Sequence, residues 1–251
     1  MNHLESIPIK HLVTEHLDYA AVLHRLGIPF YHYEEYTLGE VCKEQGLNVG
    51  YIVRSLQQTE KMVSIQDKKL LKECPVDMII AYLKYAHQRY IKQQLPYFAA
   101  LIKNLSPKKI RRKNLIEDLQ WVFPLFVEDF IHHIHEEEDT FFHYTLLLQH
   151  TLHKAIPNTE IYRHMERFSI QAFALDHDTH DDEMEGIRQI TNNYDLGDNP
   201  SLHLQVLFTE LKTFEKDLSL HAQIENEVLF PKALAIEEKV KVKLKGLARW
   251  N

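Results

Sequence analysis

Cys42 and Cys74 are the only two cysteines in this 251-residue chain, and they form no C-x-x-C pair. A disulfide framework and a thiolate metal site are thereby excluded, leaving two plain buried or half-buried thiols. Glycine and proline are also scarce, at 7 and 9. No glycine-rich phosphate loop, nucleotide fingerprint or Ser-His-Asp order occurs, and so few breakers suit long helices. Positive charge is neither abundant nor clustered. The formal charge is −7 and the nearest basic run is "SPKKIRRKN", residues 106–114. Nucleic acid is therefore excluded as the main partner, and the run reads as a solvated linker. No stretch approaches the roughly 18 consecutive apolar residues of a membrane span. The opening "MNHLESIPIKHLV" lacks the charged-then-apolar layout of a signal peptide. The expectation is a cytoplasmic protein without a membrane partner.

Histidine is plentiful by contrast, with 17 in the chain. Their positions matter once the helical periods are laid out. Residues 1–70 carry short helical patterns broken by "GIPF" (27–30) and "GLNVG" (46–50), and predict a small helical domain. Within it "TLGEVCKEQGL" (37–47) reads as a helix capped by Thr37 and stopped at Gly46. After Pro75, placed like a first-turn proline, four long periodic segments follow, at about 76–103, 114–152, 159–193 and 201–234. "NNYDLGDNPS" (192–201) is the clearest loop. No alternating run supports a sheet. The predicted class is all-α, an up-down four-helix bundle over 75–236 preceded by the small helical domain, with 237–251 a charged tail or short last helix.

In the fourth segment Leu204, Leu207, Leu211, Phe214, Leu218, His221, Glu225 and Val228 recur alternately three and four apart. That is an inward-facing stripe, and His221 and Glu225 stand where leucines belong. Residues four apart share one helix face, so imidazole and carboxylate enter the same part of the core. A buried carboxylate left unpaired costs several kcal/mol or more, so something must compensate it. The second segment repeats the arrangement with Phe126, Phe130, His133, Glu137, Phe141 and Tyr144. "HIHEEEDTFF" and "HAQIENEVLF" share H-x-x-x-E-x-[DE]-x-[FL]-F. The third stripe, Ile170, Phe173, His177, His180, Met184 and Ile187, and the first, Ile80, Leu83, His87 and Ile91, also turn imidazoles inward. The offset from His87 to His177 nearly equals that from His133 to His221, as if one helical hairpin were used twice.

A hydrogen-bonded His–Glu pair on each helix is the plain account of these residues. Its occurrence twice, beside two more inward histidines, favours metal. Four imidazoles with two bridging carboxylates suffice for two ions; the absence of thiolate suits iron or manganese better than zinc. Six protein ligands for two ions leave a position open for O2, NO or water. His180 reads equally as a neighbour of the site or as core. His16, His24 and His32 form either a separate site or ordinary packing.

At these residues the chain resembles hemerythrin-like domains that bind cations through His and Glu. The likeness is greatest to the iron-sulfur cluster repair di-iron proteins, through "HAQIENEVLFPKAL", "DHDTHDDEMEGIRQITNNY", "FIHHIHEEEDTFF" and "QRYIKQQLP". The resemblance implies that His87, His133, His177 and His221 ligate two iron ions and that Glu137 and Glu225 bridge them. It further implies iron supply or cluster repair under nitrosative or oxidative stress, an iron-sulfur client, and O2 or NO as small ligand. A sensor or carrier without turnover is the competing class, a purely structural metal site a third, and a homodimer is compatible with either of the first two. The pattern departs in two places. Tyr31, His32 and Tyr33 stand where the family carries a Cys-Cys-Gly-Gly run, and His87 precedes Pro96 by one residue more than the family spacing.

Overall fold

A computed structural model describes residues 3–59, 68–107, 114–153, 159–180 and 182–248; side chains at 59, 68–70, 159–160, 176–180 and 247–248 lie outside the description. All regular structure among these residues is helical. In chain order the helices are α1 Ile9–Glu15, α2 Tyr19–Arg25, α3 Leu38–Glu44, α4 Val49–Thr59, α5 Lys68–Glu73, α6 Val76–Arg89 and α7 Leu95–Lys103. They continue with α8 Leu115–Glu136, α9 His143–His153, α10 Thr159–Arg167, α11 Ile170–His180, α12 Glu185–Thr191, α13 Leu202–Ile224 and α14 Phe230–Ala248. No described helix is long and apolar enough to cross a membrane. The run at 106–114 lies largely outside the described residues.

The chain divides into two compact units, one of residues 1–65, 94–123 and 187–214, the other of 66–93, 124–186 and 215–251. In the first unit, α3 starts on a reciprocal cap. The Glu40 amide donates to the Thr37 hydroxyl and the Thr37 amide to the Glu40 carboxylate, at 3.3 and 2.8 Å. Gly46, at φ +66°, turns the chain out of the helix, a conformation that L side chains rarely adopt. Ile9, Leu12, Leu23, Phe30, Val41 and Leu56 fill the core of these short helices. Tyr31, in the stretch where the resembled family has cysteines, stacks on the buried His203 ring at 4.6 Å and accepts a hydrogen bond from Asn104. Tyr33 accepts one from Gln45 at 2.7 Å. Both tyrosines are occupied in packing.

The second unit is built on α6, α9 and α14. Ile80, Leu83, Phe141, Phe142, Leu148, Leu229 and Ala233 share one core, and the Phe141 and Phe230 rings stack at 4.4 Å. The charged stretch after 237 continues α14 to Ala248 rather than forming a tail, because apolar residues recur within its lysines and bury Val240 and Leu244. Its lysines serve the fold, since Lys243 Nζ donates to the carbonyls of Thr151 and Leu152 at the end of α9, both at 2.9 Å. Glu237 is buried on the same helix. It accepts from the Tyr144 hydroxyl at 2.8 Å and from Lys241 at 2.6 Å. Burial and the carboxylate together hold the Tyr144 hydroxyl protonated, its pKa well above the ordinary value. Tyr144→Phe is expected to cost about 1.5–3 kcal/mol in urea unfolding, the range for a hydrogen bond to a charged group. A loss under about 0.5 kcal/mol, the scale of surface substitutions, would contradict that role.

Two features of the long segments depart from expectation. The third is not one helix but α10, α11 and α12: Ser169 interrupts it, its hydroxyl accepting from the Ala172 amide at 3.2 Å. The other three contain π-helical turns, at Tyr90–Gln94, Glu137–Phe142 and Glu225–Leu229. A π turn holds more residues than an α turn, and such turns are frequent at functional sites. The first lies between His87 and Pro96.

Candidate metal centre

His221 ends the long α13 one turn before Glu225, which opens a π turn. His133 and Glu137 are arranged the same way at the end of α8, and His87 stands near the end of α6. One ligand atom each from His87, Glu137, His221 and Glu225 lies within 4.8 Å of every other. The four side chains are buried, with Glu137 and Glu225 retaining only 2 % and 1 % of their surface. Two carboxylates at such depth need a cation or several good donors near them.

The separations match a coordination shell. His87 Nε2 lies 2.9 Å from His221 Nε2 and 3.3 Å from Glu137 Oε2, while His221 Nε2 lies 3.2 Å from Glu225 Oε1. Two atoms bound at about 2.1 Å to one transition-metal ion, at right angles, stand about 3.0 Å apart. Glu137 also turns its other oxygen, Oε1, to His133 Nε2 at 3.2 Å. Its two oxygens thus face two different imidazoles. The donor set of imidazole and carboxylate therefore fits a metal ion.

His87 is also held from behind. Its Nδ1 lies 3.0 Å from Glu138 Oε1, and Lys84 Nζ lies 3.0 Å from the other Glu138 oxygen. A neutral His87 donating from Nδ1 to Glu138 presents a bare Nε2 lone pair to the centre, the arrangement by which carboxylates fix metal-binding histidines. Burial alone would lower the His87 pKa. Hydrogen bonds to Glu137 and Glu138, with the charges of Glu137 and Glu225, outweigh it and hold the pKa above the ordinary value. Phe142 stacks on the His87 ring at 5.8 Å.

A cavity of about 30 Å³ opens on the centre, lined by Tyr90, Phe130 and Leu218 as well as by the donors. Its walls combine the imidazole and carboxylate side chains with apolar ones, and its volume suits a water or a diatomic molecule. The His87 and His221 side retains little exposure, whereas the His133 side chain is 30 % exposed.

Of the six residues singled out from the sequence, His87, Glu137, His221 and Glu225 come together in one group and His133 adjoins it through Glu137. His177 lies on α11 with its side chain outside the description, as does His180. Three neighbours escaped the sequence reading. Glu138 reads as part of a solvated acidic run, yet it holds His87. Tyr90 puts its ring 5.8 Å from that of His221. Glu183 lines the cavity from the turn between α11 and α12, where no helical period could reveal it. His16, His24 and His32 pack against Tyr19, Tyr97 and Tyr31, and join no metal-holding group among the described residues. No model of a known protein family matches the chain.

Proposed function

We propose that the chain is a non-haem di-iron protein of the hemerythrin-like class. On this reading its long helices form an up-down four-helix bundle, with His87 and His221 on one ion, His133 and His177 on the other, and Glu137 and Glu225 bridging. The observation that carries it is Glu137, buried and facing His87 with one oxygen and His133 with the other, at 3.3 and 3.2 Å. The ligand motifs, by their resemblance to the cluster repair proteins, supply the rest: iron as the metal, and iron supply or cluster repair in the cytoplasm under nitrosative or oxidative stress as the role.

Bound iron would contribute an open coordination position and a redox couple. The chain's own residues do the remaining work. Glu138 keeps the His87 tautomer, with Lys84 holding Glu138 in turn. Phe130, Tyr90 and Leu218 leave room for little more than one small molecule beside the donors.

A reversible O2 or NO sensor is the second reading. Tyr31 favours it, because a ring stacked on His203 offers no thiol chemistry where the resembled family has a cysteine pair.

Protein purified after expression with iron available is expected to contain two iron ions per chain, with most of that content lost in His221→Ala. Well under two ions in the native protein, or an unchanged content in the variant, would end the di-iron reading. Transfer of iron to an apo iron-sulfur protein separates repair from sensing. A reversible spectral change with O2 or NO and no iron loss supports the sensor.

A further inference from the structure

We propose that Glu183 is a further protein ligand of this centre, binding the ion on the His133 side; the proposal rests on the metal reading above. His133 Nε2 has two carboxylate oxygens beside it, Glu137 Oε1 at 3.2 Å and Glu183 Oε1 at 3.6 Å. The second separation is slightly wider than the first, and both fall near the edge lengths expected when one ion draws its ligands together. Glu183 lines the same cavity as His87, Glu137, His221 and Glu225, so its carboxylate faces the donor group.

Electrostatics supports the same assignment. A third carboxylate beside two buried ones is repelled by them unless a cation intervenes. Glu183 keeps 22 % of its side-chain surface and stands on a turn closed by the Glu185 amide donating to the Asp182 carbonyl at 3.1 Å. Solvent is within its reach, and it is nonetheless turned toward the cavity. Two divalent ions carry four positive charges against the two negative charges of Glu137 and Glu225. A third carboxylate halves the surplus that must be stabilised in a partly enclosed pocket. The resulting set on the His133 side, the two imidazoles and two bridging carboxylates of the proposed centre joined by a third carboxylate, is a hard, oxygen-rich environment that suits iron or manganese over softer ions. Carried on a turn rather than a helix, this ligand can move without disturbing the helices that hold the other donors.

The test uses the full-length protein loaded anaerobically with ferrous iron, desalted, and challenged with a chromogenic chelator. The native protein is expected to retain two ions. In Glu183→Gln one ion is held as in the native protein, while the other yields at a chelator concentration lowered at least roughly tenfold, the lower range for disturbing a metal's immediate surroundings. Glu183→Asp restores part of the difference, and His133→Ala reproduces the Glu183→Gln loss. Helical content by circular dichroism serves as the folding check for each variant. Two ions held by Glu183→Gln with native chelator resistance would overturn the proposal while leaving the metal centre standing. A native protein that takes up no iron would overturn both.

Discussion

Removal of metal by a chelator is expected to lower the melting temperature by about 8–16 °C. The estimate follows from ligand linkage, since a ligand at a thousand times its dissociation constant stabilises the native state by about 4.1 kcal/mol. Chains of about this size lose roughly 2–4 °C per kcal/mol. The direction comes from the site itself. Glu137 and Glu225 are buried almost completely, and beside two imidazoles they have charge without adequate counter-charge once the ions are gone. His87 offsets part of this by holding a proton more tightly than an ordinary imidazole, through its contacts with Glu137 and Glu138. That response softens the loss and does not abolish it, because one proton replaces the larger charge of bound metal. Thermal scans by circular dichroism, with metal content measured on the same samples, give the answer. Coincident curves for loaded and stripped protein would show that the centre contributes nothing to folding.

The double substitution His221→Leu with Glu225→Leu is expected to act in opposite directions on the two states. Both residues occupy a stripe otherwise made of Leu204, Leu207, Leu211, Phe214, Leu218 and Val228, and leucine restores its pattern at similar volume. Replacing both members of a buried polar pair by apolar residues is neutral or stabilising by about 1–4 kcal/mol, whereas removing one member leaves the other stranded. The metal-free variant should therefore be at least as stable as the metal-free native protein. It should also gain nothing from added iron. Urea unfolding of both proteins, with and without iron, yields the four stabilities required. A variant markedly less stable than the stripped native protein would mean that His221 and Glu225 are present for the fold rather than for a ligand.

These expectations were largely legible in the residues themselves. A 3.6-residue period, few breakers and no alternating runs announce helices, and the described structure contains no strand. His221 and Glu225 announce themselves because a stripe of leucines and phenylalanines makes any polar member conspicuous. Thr37 with Glu40, and Gly46 after them, mark the bounds of α3 by local hydrogen bonding and backbone preference, which a sequence carries directly. Legibility ends where tertiary placement decides. Glu138 has neighbours of its own charge on either side, and only the position of α6 across from it shows that one of those charges holds His87. Glu183 belongs to no periodic stripe, since the turn that carries it presents side chains by its own geometry. Ser169 breaks the third segment because its hydroxyl caps α11, a role that a serine inside a helical period does not advertise.

The π-helical turns at Glu137–Phe142 and Glu225–Leu229 give chain length a part in the chemistry. Each begins at a carboxylate of the centre, and each lets the helix continue with a residue more than an α turn would hold. Deletion of a single residue from either turn would let it relax to regular α-helix, and everything beyond would swing by about 100° about the helix axis. Phe142, at the end of the first of these turns and stacked on His87, would leave the centre, although no donor had been replaced. Substitutions can exchange ligands one at a time, whereas an insertion or deletion here re-aims a whole helix at once. For a designer who would transplant this centre into another helical scaffold, the identities of the donors are therefore an incomplete specification, and the residue count of the turns that follow Glu137 and Glu225 completes it.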